Sequence, residues 1–120
     1  MDLKNYLLEY VSSGRRKRIG IPVEPDTVLK PGDTVRIKDG KWFDSLEKDS
    51  KGDGVVVNKP GDTEMFTEPM TEYLGKKVIV TAVFSKNNAK RSVRYFVCPA
   101  EGDNQEELDW IFTNEMLEYI

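Results

Sequence analysis

Apolar and polar residues follow two different periods along the chain. Near the start, apolar side chains recur every three or four residues, which is the spacing of one face of an α-helix. Those side chains are Leu3, Tyr6, Leu7, Tyr10 and Val11. Asp2 can cap the start of this helix and Gly14 can end it. We predict an amphipathic helix in residues 1–14, whose apolar stripe needs a surface to dock on because so short a helix is marginal alone.

Residues 15–28 interrupt this periodicity. They open with four consecutive bases: Arg15, Arg16, Lys17 and Arg18. Pro22 and Pro25 follow, and proline at this density favours extended, irregular backbone. We expect a basic linker that lies along the surface of the main domain, residues 29–120.

From residue 29 the apolar period shortens to two, which is the period of β-strands. The predicted strands are Thr34–Lys38, Val55–Val57, Val78–Phe84, Val93–Cys98 and Asp109–Phe112. The third is apolar on both faces, so it should be central, and it should form a hairpin with the fourth.

Turn residues and short helical segments separate these strands. We predict a helical turn that opens at Glu68-Pro69 and ends at Gly75, and a terminal turn that Thr113 can cap. Trp42–Leu46 fits a short helical turn or a loop. Residues 47–54 are charged and glycine-rich, which indicates a mobile loop. The fold class is therefore mainly β: a small barrel of about five short strands, with the N-terminal helix and one or two helical turns.

Composition excludes several kinds of chemistry. The 120 residues include no His and one Cys. Catalytic triads, Cys-His pairs and His-ligated metal sites are therefore excluded, and Cys98 has no intramolecular disulfide partner. We expect no metal, no cofactor and no enzymatic activity. An enzyme that uses only carboxylates or Lys is the third-ranked hypothesis. No signal peptide or membrane-spanning apolar run occurs, so we expect a cytoplasmic protein without membrane contact.

Charge is unevenly distributed, although the formal net charge is only −3. Residues 101–120 carry seven acids and no base, so the rest of the chain is net positive. The basic side chains that could contact a nucleic-acid backbone are Arg15, Arg16, Lys17, Arg18, Lys86, Lys90, Arg91 and Arg94. Lys76 and Lys77 lie at the other end of the predicted hairpin, and Tyr95 could stack on bases or pack in the core.

Aromatic residues provide the other candidate surface. Trp42 and Tyr73, together with Phe43 and Trp110, could line a peptide groove or fill the core. The stripe formed by Leu3, Tyr6, Leu7 and Tyr10 could cover that groove or mediate a dimer. The leading hypothesis is a non-catalytic binding module that contacts another protein or itself. The alternative is a nucleic-acid-binding barrel.

Several segments resemble those of known small proteins. Val35-Arg36-Ile37 follows a Gly-Asp turn, Gly75-Lys76 follows a helical turn, and the chain ends with Asp109-Trp110-Ile111-Phe112-Thr113-Asn114-Glu115-Met116. This order is similar to that of small phage and gut-bacterial proteins, over residues 29–118. The resemblance implies a Src-homology-3-like barrel and a phage or mobile-element origin, and it implies no particular activity.

A weaker resemblance is to the KOW motif of ribosomal and transcription-factor barrels. It rests on Gly32-Asp33, Val35, Ile37 and Gly40, followed by Gly54-Val55-Val56-Val57. This resemblance implies contact with RNA, a ribosome or a polymerase. The spacer before the second glycine segment is longer and more charged here than in that motif.

Overall fold

Two antiparallel β-sheets form the protein in the computed structural model, which describes residues 20–85 and 92–120. The strands are β1 (Thr34–Ile37), β2 (Glu47–Lys48), β3 (Gly54–Lys59), β4 (Asp62–Phe66), β5 (Lys77–Phe84), β6 (Arg94–Pro99) and β7 (Leu117–Glu118). The helical elements are α1 (Gly40–Ser45) and the 3₁₀ helices η1 (Glu68–Tyr73) and η2 (Asn114–Met116). One sheet has the order β6-β5-β1-β7 and the other β2-β3-β4. The mainly β fold class is confirmed, and the predicted N-terminal helix lies outside the described residues.

The period-two pattern places one face of each sheet in a shared core. In β1, Val35 and Ile37 are buried while Arg36 faces outward. Strand β5 is central in its sheet and pairs with β6, so the predicted hairpin is confirmed in its paired strands. Fourteen buried apolar residues form the core: Val23, Leu29, Val35, Ile37, Val56, Phe66, Met70, Val78, Val80, Tyr95, Val97, Phe112, Met116 and Leu117.

The segment predicted as a mobile loop at residues 47–54 begins with a short strand, β2. A second strand that was not predicted from the sequence, β4, comes after β3. Strand β2 pairs with β3, and Asp49 Oδ1 accepts hydrogen bonds from the backbone of Lys51 and Asp53 at 2.8 and 3.0 Å. Strand β4 then pairs with β3 after a tight turn at Pro60-Gly61. Sequence periodicity misses β4 because its inward positions include Asp62 and Glu64 instead of apolar residues.

The strand predicted at residues 109–112 is reduced to a single β-bridge in the structure. In this segment Phe112 alone forms a β-bridge, with Tyr95, while Leu108 N donates to Val97 O at 2.8 Å. The segment therefore covers the outer edge of β6 without forming a regular ladder. The predicted turn after Thr113 is present as η2, and the two-residue β7 follows it.

The two sheets do not close into the predicted small barrel in the described residues. No backbone ladder joins the two sheets within residues 20–85 and 92–120. A charged contact connects them instead: Arg94 of β6 donates through Nη2 to Asp62 Oδ1 at 2.6 Å and through Nε to Glu64 Oε1 at 3.0 Å, both on β4. The side chains of Arg94 and Asp62 are only 0% and 2% exposed. This burial corrects the assignment of Arg94 to a nucleic-acid surface, because its charge is already neutralised inside the protein.

Ser92 completes this network. Its hydroxyl and its backbone N–H donate to Asp62 Oδ2 at 2.7 and 2.8 Å. Burial alone would raise the pKa of Asp62, but the hydrogen bonds from Arg94 and Ser92 outweigh it and hold that pKa far below its usual range.

A second buried network attaches residues 20–29, most of which belong to the predicted linker. Tyr95 Oη donates to Asn114 Oδ1 at 2.7 Å and accepts from Leu29 N at 3.1 Å. Asn114 Nδ2 donates to the carbonyls of Glu24 and Thr27 at 2.8 and 2.7 Å. With Val23 in the core, this segment is part of the domain, and Tyr95 is a core residue that cannot stack on bases.

The buried ion pair predicts that removing one partner destabilises the protein more than removing both. Arg94→Met leaves the buried Asp62 and the partly exposed Glu64 without their cationic partner, so it should lower the free energy of unfolding by about 3–5 kcal/mol in urea titrations. The double variant Asp62→Leu/Arg94→Met removes both charges and should regain most of that loss. Equal stability of the single and double variants would contradict this role, and Glu64→Gln, at a partly exposed site, is the milder control.

The same pair predicts acid sensitivity. A carboxylate whose pKa is depressed by folding contributes stability that is fully present above its unfolded pKa of about 3.9 and is lost as the pH falls toward its folded pKa. The free energy of unfolding should therefore fall more steeply below about pH 4 in the natural protein than in Asp62→Leu/Arg94→Met. Urea titrations between pH 3 and about pH 6 measure this, and parallel curves would refute it.

Candidate functional site

Aromatic side chains gather at both ends of η1. At its start, the rings of Trp42 and Phe43 lie 5.2 and 5.7 Å from that of Phe66, measured between centroids. Helix α1 positions Trp42, and it begins where Asp39 Oδ1 accepts a hydrogen bond from Trp42 N at 3.1 Å. Phe66 is fully buried, so Trp42 and Phe43 form the outer layer of the core here.

At the other end of η1, Tyr73 packs against Trp110. Their ring centroids are 5.8 Å apart at an interplanar angle of 58°. Tyr73 is the last residue of η1, and Trp110 belongs to the segment that covers the edge of β6. Both side chains are partly buried against the core and partly exposed. They present aromatic area to solvent from two segments far apart in sequence.

Two lysines lie close to these aromatic rings. Lys76 Nζ is 6.0 Å from the centroid of Tyr73, and Lys38 Nζ is 5.8 Å from that of Trp42. Burial lowers the pKa of Lys38, and the nearby carboxylates of Glu115 and Glu118 oppose this effect. Lys38 is buried, whereas the exposed Lys76 gives the Tyr73–Trp110 pair a positive border.

A cleft of about 390 Å³ opens beside Lys76. Its walls come from the outer ends of β1 and β5, the turn at Gly75 and the loop after β6. The lining residues are Arg36, Gly75, Lys76, Lys77, Pro99, Glu101 and Gly102. Since Lys76 also touches the aromatic surface through Tyr73, the cleft and the Tyr73–Trp110 pair form one continuous region.

A second, smaller cavity of about 120 Å³ lies near the two buried networks. Ser92 and Asn114 line it, but their side chains are already engaged with Asp62, Arg94, Tyr95 and backbone carbonyls. At this cavity, the side chains of Ser92 and Asn114 therefore serve the fold. Among residues 20–85 and 92–120, no group of three or more His, Cys, Asp or Glu side chains could hold a metal ion.

The structure brings together some of the candidates named from the sequence and separates others. Tyr73, Lys76 and Lys77 lie in one region, and Trp42 lies at the opposite end of η1. Arg94 and Tyr95 are buried. The remaining candidates fall outside the described residues: Leu3, Tyr6, Leu7, Tyr10, Arg15, Arg16, Lys17, Arg18, Lys86, Lys90 and Arg91.

Sequence reasoning missed Arg36 as a site residue. The alternation in β1 does place Arg36 on the outer face, but only the strand register shows that it lies opposite Lys77. Sequence periodicity does not set this register, so it gives no signal for the pair.

Comparison with protein-family models, with curated proteins and with solved structures finds no match to this chain. Within the part that the structure describes, no helix is long and apolar enough to cross a membrane.

Partial exposure of the Tyr73–Trp110 pair predicts a graded stability response. Phe66→Ala should lower the free energy of unfolding by about 3–5 kcal/mol because it empties the core. Tyr73→Ala and Trp110→Ala should each cost less than about half as much, because folding removes only part of these rings from water. Urea unfolding of the three variants measures the difference. A cost for Trp110→Ala equal to that for Phe66→Ala would show that Trp110 is a core residue.

Proposed function

We propose that the protein is a non-catalytic binding module that contacts another protein. The observation that carries this proposal is the Tyr73–Trp110 pair, two adjacent aromatic rings that are each partly accessible at the surface. Tyrosine and tryptophan dominate the energetics of protein interfaces because they bury much area for little loss of conformational entropy.

The positive border formed by Lys76 supports the same function. Lys76 and the cleft beside it add charged groups at the rim of an aromatic surface, which is the usual arrangement of an interface centre and its edge. A partner segment that carries an apolar anchor and an adjacent acidic group would be complementary to both features. The stripe of Leu3, Tyr6, Leu7 and Tyr10 remains a second predicted contact surface, for a partner or for a second copy of the chain.

We also propose that the fold is an open relative of the Src-homology-3-like barrels. The Gly-Asp turn before Val35-Arg36-Ile37 and the helical turn before Gly75-Lys76 support it. The side-chain contact between Arg94 and Asp62 would then replace the backbone ladder that closes a barrel of that type.

The described surface gives less support to nucleic acid as the partner. Arg94 is withdrawn into the interior, and the loop after β6 carries five exposed carboxylates, of which Glu101 lines the basic cleft. They are Glu101, Asp103, Glu106, Glu107 and Asp109. A polyanion that extended from the cleft across this loop would be repelled.

Selection from a displayed library of random twelve-residue peptides tests the protein-binding function. We expect enrichment of peptides that combine an aromatic or aliphatic anchor with an acidic residue. Their affinity, measured by fluorescence anisotropy, should fall about ten-fold or more for Trp110→Ala, as for an interface anchor. Phe84→Ala is the matched control, since Phe84 stacks on Phe96 at 5.3 Å elsewhere on the domain and is also partly exposed.

Two outcomes would overturn this proposal. One is equal loss of peptide affinity in the Trp110 and Phe84 variants. The other is the absence of enriched peptides combined with micromolar binding of labelled mixed-sequence DNA or RNA that weakens steeply with salt, which would transfer the function to nucleic acid.

A further inference from the structure

Like charges face each other across β1 and β5. The register places Arg36 directly opposite Lys77, and both side chains lie on the outer face because Val35, Ile37 and Val78 point inward. Side chains in such a pair have Cβ atoms only about 5 Å apart, and like charges there are destabilising. Lys76 adds a third positive charge at the end of β5. The fold therefore places three cations close together at the cleft.

Carboxylates of the domain compensate this charge only in part. Glu118 lies opposite Arg36 on β7, and Glu101 Oε2 is 3.8 Å from Lys77 Nζ. That contact is long, and the two side chains are 38% and 74% exposed, so solvent screens most of it. Within residues 20–85 and 92–120, no carboxylate oxygen lies within 4.0 Å of Arg36 or Lys76. Of the charged side chains that line the cleft, three are positive and one, Glu101, is negative, so the lining is net positive.

The geometry of the cleft suits a compact anion. The volume of about 390 Å³ is at the low end of the range for small-molecule sites. Arg36 offers a planar set of N–H donors that matches two oxygens of one oxyanion, and Lys77 on the neighbouring strand and Lys76 just before it supply point charges beside them. Glu101 of the loop after β6 borders the cleft, and further carboxylates follow it in that loop, so a longer polyanion would meet negative charge on this side.

We propose that this cleft binds a single oxyanion, either a phosphate group or a carboxylate group, through Arg36, Lys76 and Lys77. Glu101 occupies part of the positive field in the absence of a ligand, so an incoming oxyanion competes with it for Lys77. The inference is independent of the proposed function, because the affinity for a free anion can be measured without a protein partner. If the anion belongs to a partner, the adjacent Tyr73–Trp110 pair would contact the residues beside it.

Nuclear magnetic resonance titration of the full, ¹⁵N-labelled chain with sodium phosphate tests this site at constant ionic strength and pH 7. We expect saturable shifts of the backbone amides around the cleft, at residues 36, 75–77 and 100–102. Arg36→Gln and Lys77→Gln should each weaken binding about ten-fold, which corresponds to the loss of one charged hydrogen bond. Glu101→Gln should tighten it. Lys51→Gln, at an exposed turn of the other sheet, should leave the affinity unchanged.

Sodium acetate, titrated in the same way, distinguishes the two sources of the anion. Saturable binding of phosphate alone assigns the cleft to phosphate groups, and binding of both assigns it to compact oxyanions in general. Three results would overturn the proposal: shifts that do not saturate with either anion, equal effects of the Arg36 and Lys51 variants, and Arg36-dependent binding of mixed-sequence DNA that is tighter than that of phosphate. The spectra of the variants also verify that each is folded.

Discussion

The contact between Arg94 and Asp62 holds the two halves of this fold together. Neither sheet continues into the other through backbone hydrogen bonds in the described residues, so the arginine of β6 makes the charged connection to the hairpin of β3 and β4. A buried guanidinium is stable only when its donors are matched, and Asp62, Glu64 and Ser92 supply those acceptors. The orientation of the hairpin, and with it the position of Phe66 beneath Trp42, follows from this geometry.

A second, uncharged network of buried groups attaches another segment of the chain to the core. Tyr95, one residue after Arg94, turns to the opposite face of β6 and reaches Asn114 in η2. Asn114 in turn fixes the carbonyls of residues 24–27, which brings Val23 into the core. Consecutive residues of one strand thus attach two separate segments, one by charge and one by amide hydrogen bonds. Tyr73 and Lys76 belong to neither of these buried hydrogen-bond networks.

Sequence periodicity predicted the parts of the fold whose burial is apolar. The pairing of β5 with β6 was predictable because β-branched and aromatic residues occupy six of the eight positions of β5 and three successive positions of β6. Strand β4 was not, because its inward Asp62 and Glu64 are compatible with burial only once Arg94, some thirty residues later, is placed beside them. The site followed the same rule: Tyr73 stood out as an aromatic residue, whereas Arg36 became a candidate only when the register set it against Lys77.

The edges of the four-stranded sheet are both occupied by irregular chain. On one side, Ile21 and Val23 make the hydrogen bonds to β7, so the backbone of Pro22 faces outward, and proline has no N–H to offer there. On the other side, the segment that carries Leu108 and Phe112 covers β6. Because an added strand needs alternating free donors and acceptors, this sheet is closed to growth by main-chain pairing. Within residues 20–85 and 92–120, an added strand would therefore have to pair with the three-stranded sheet.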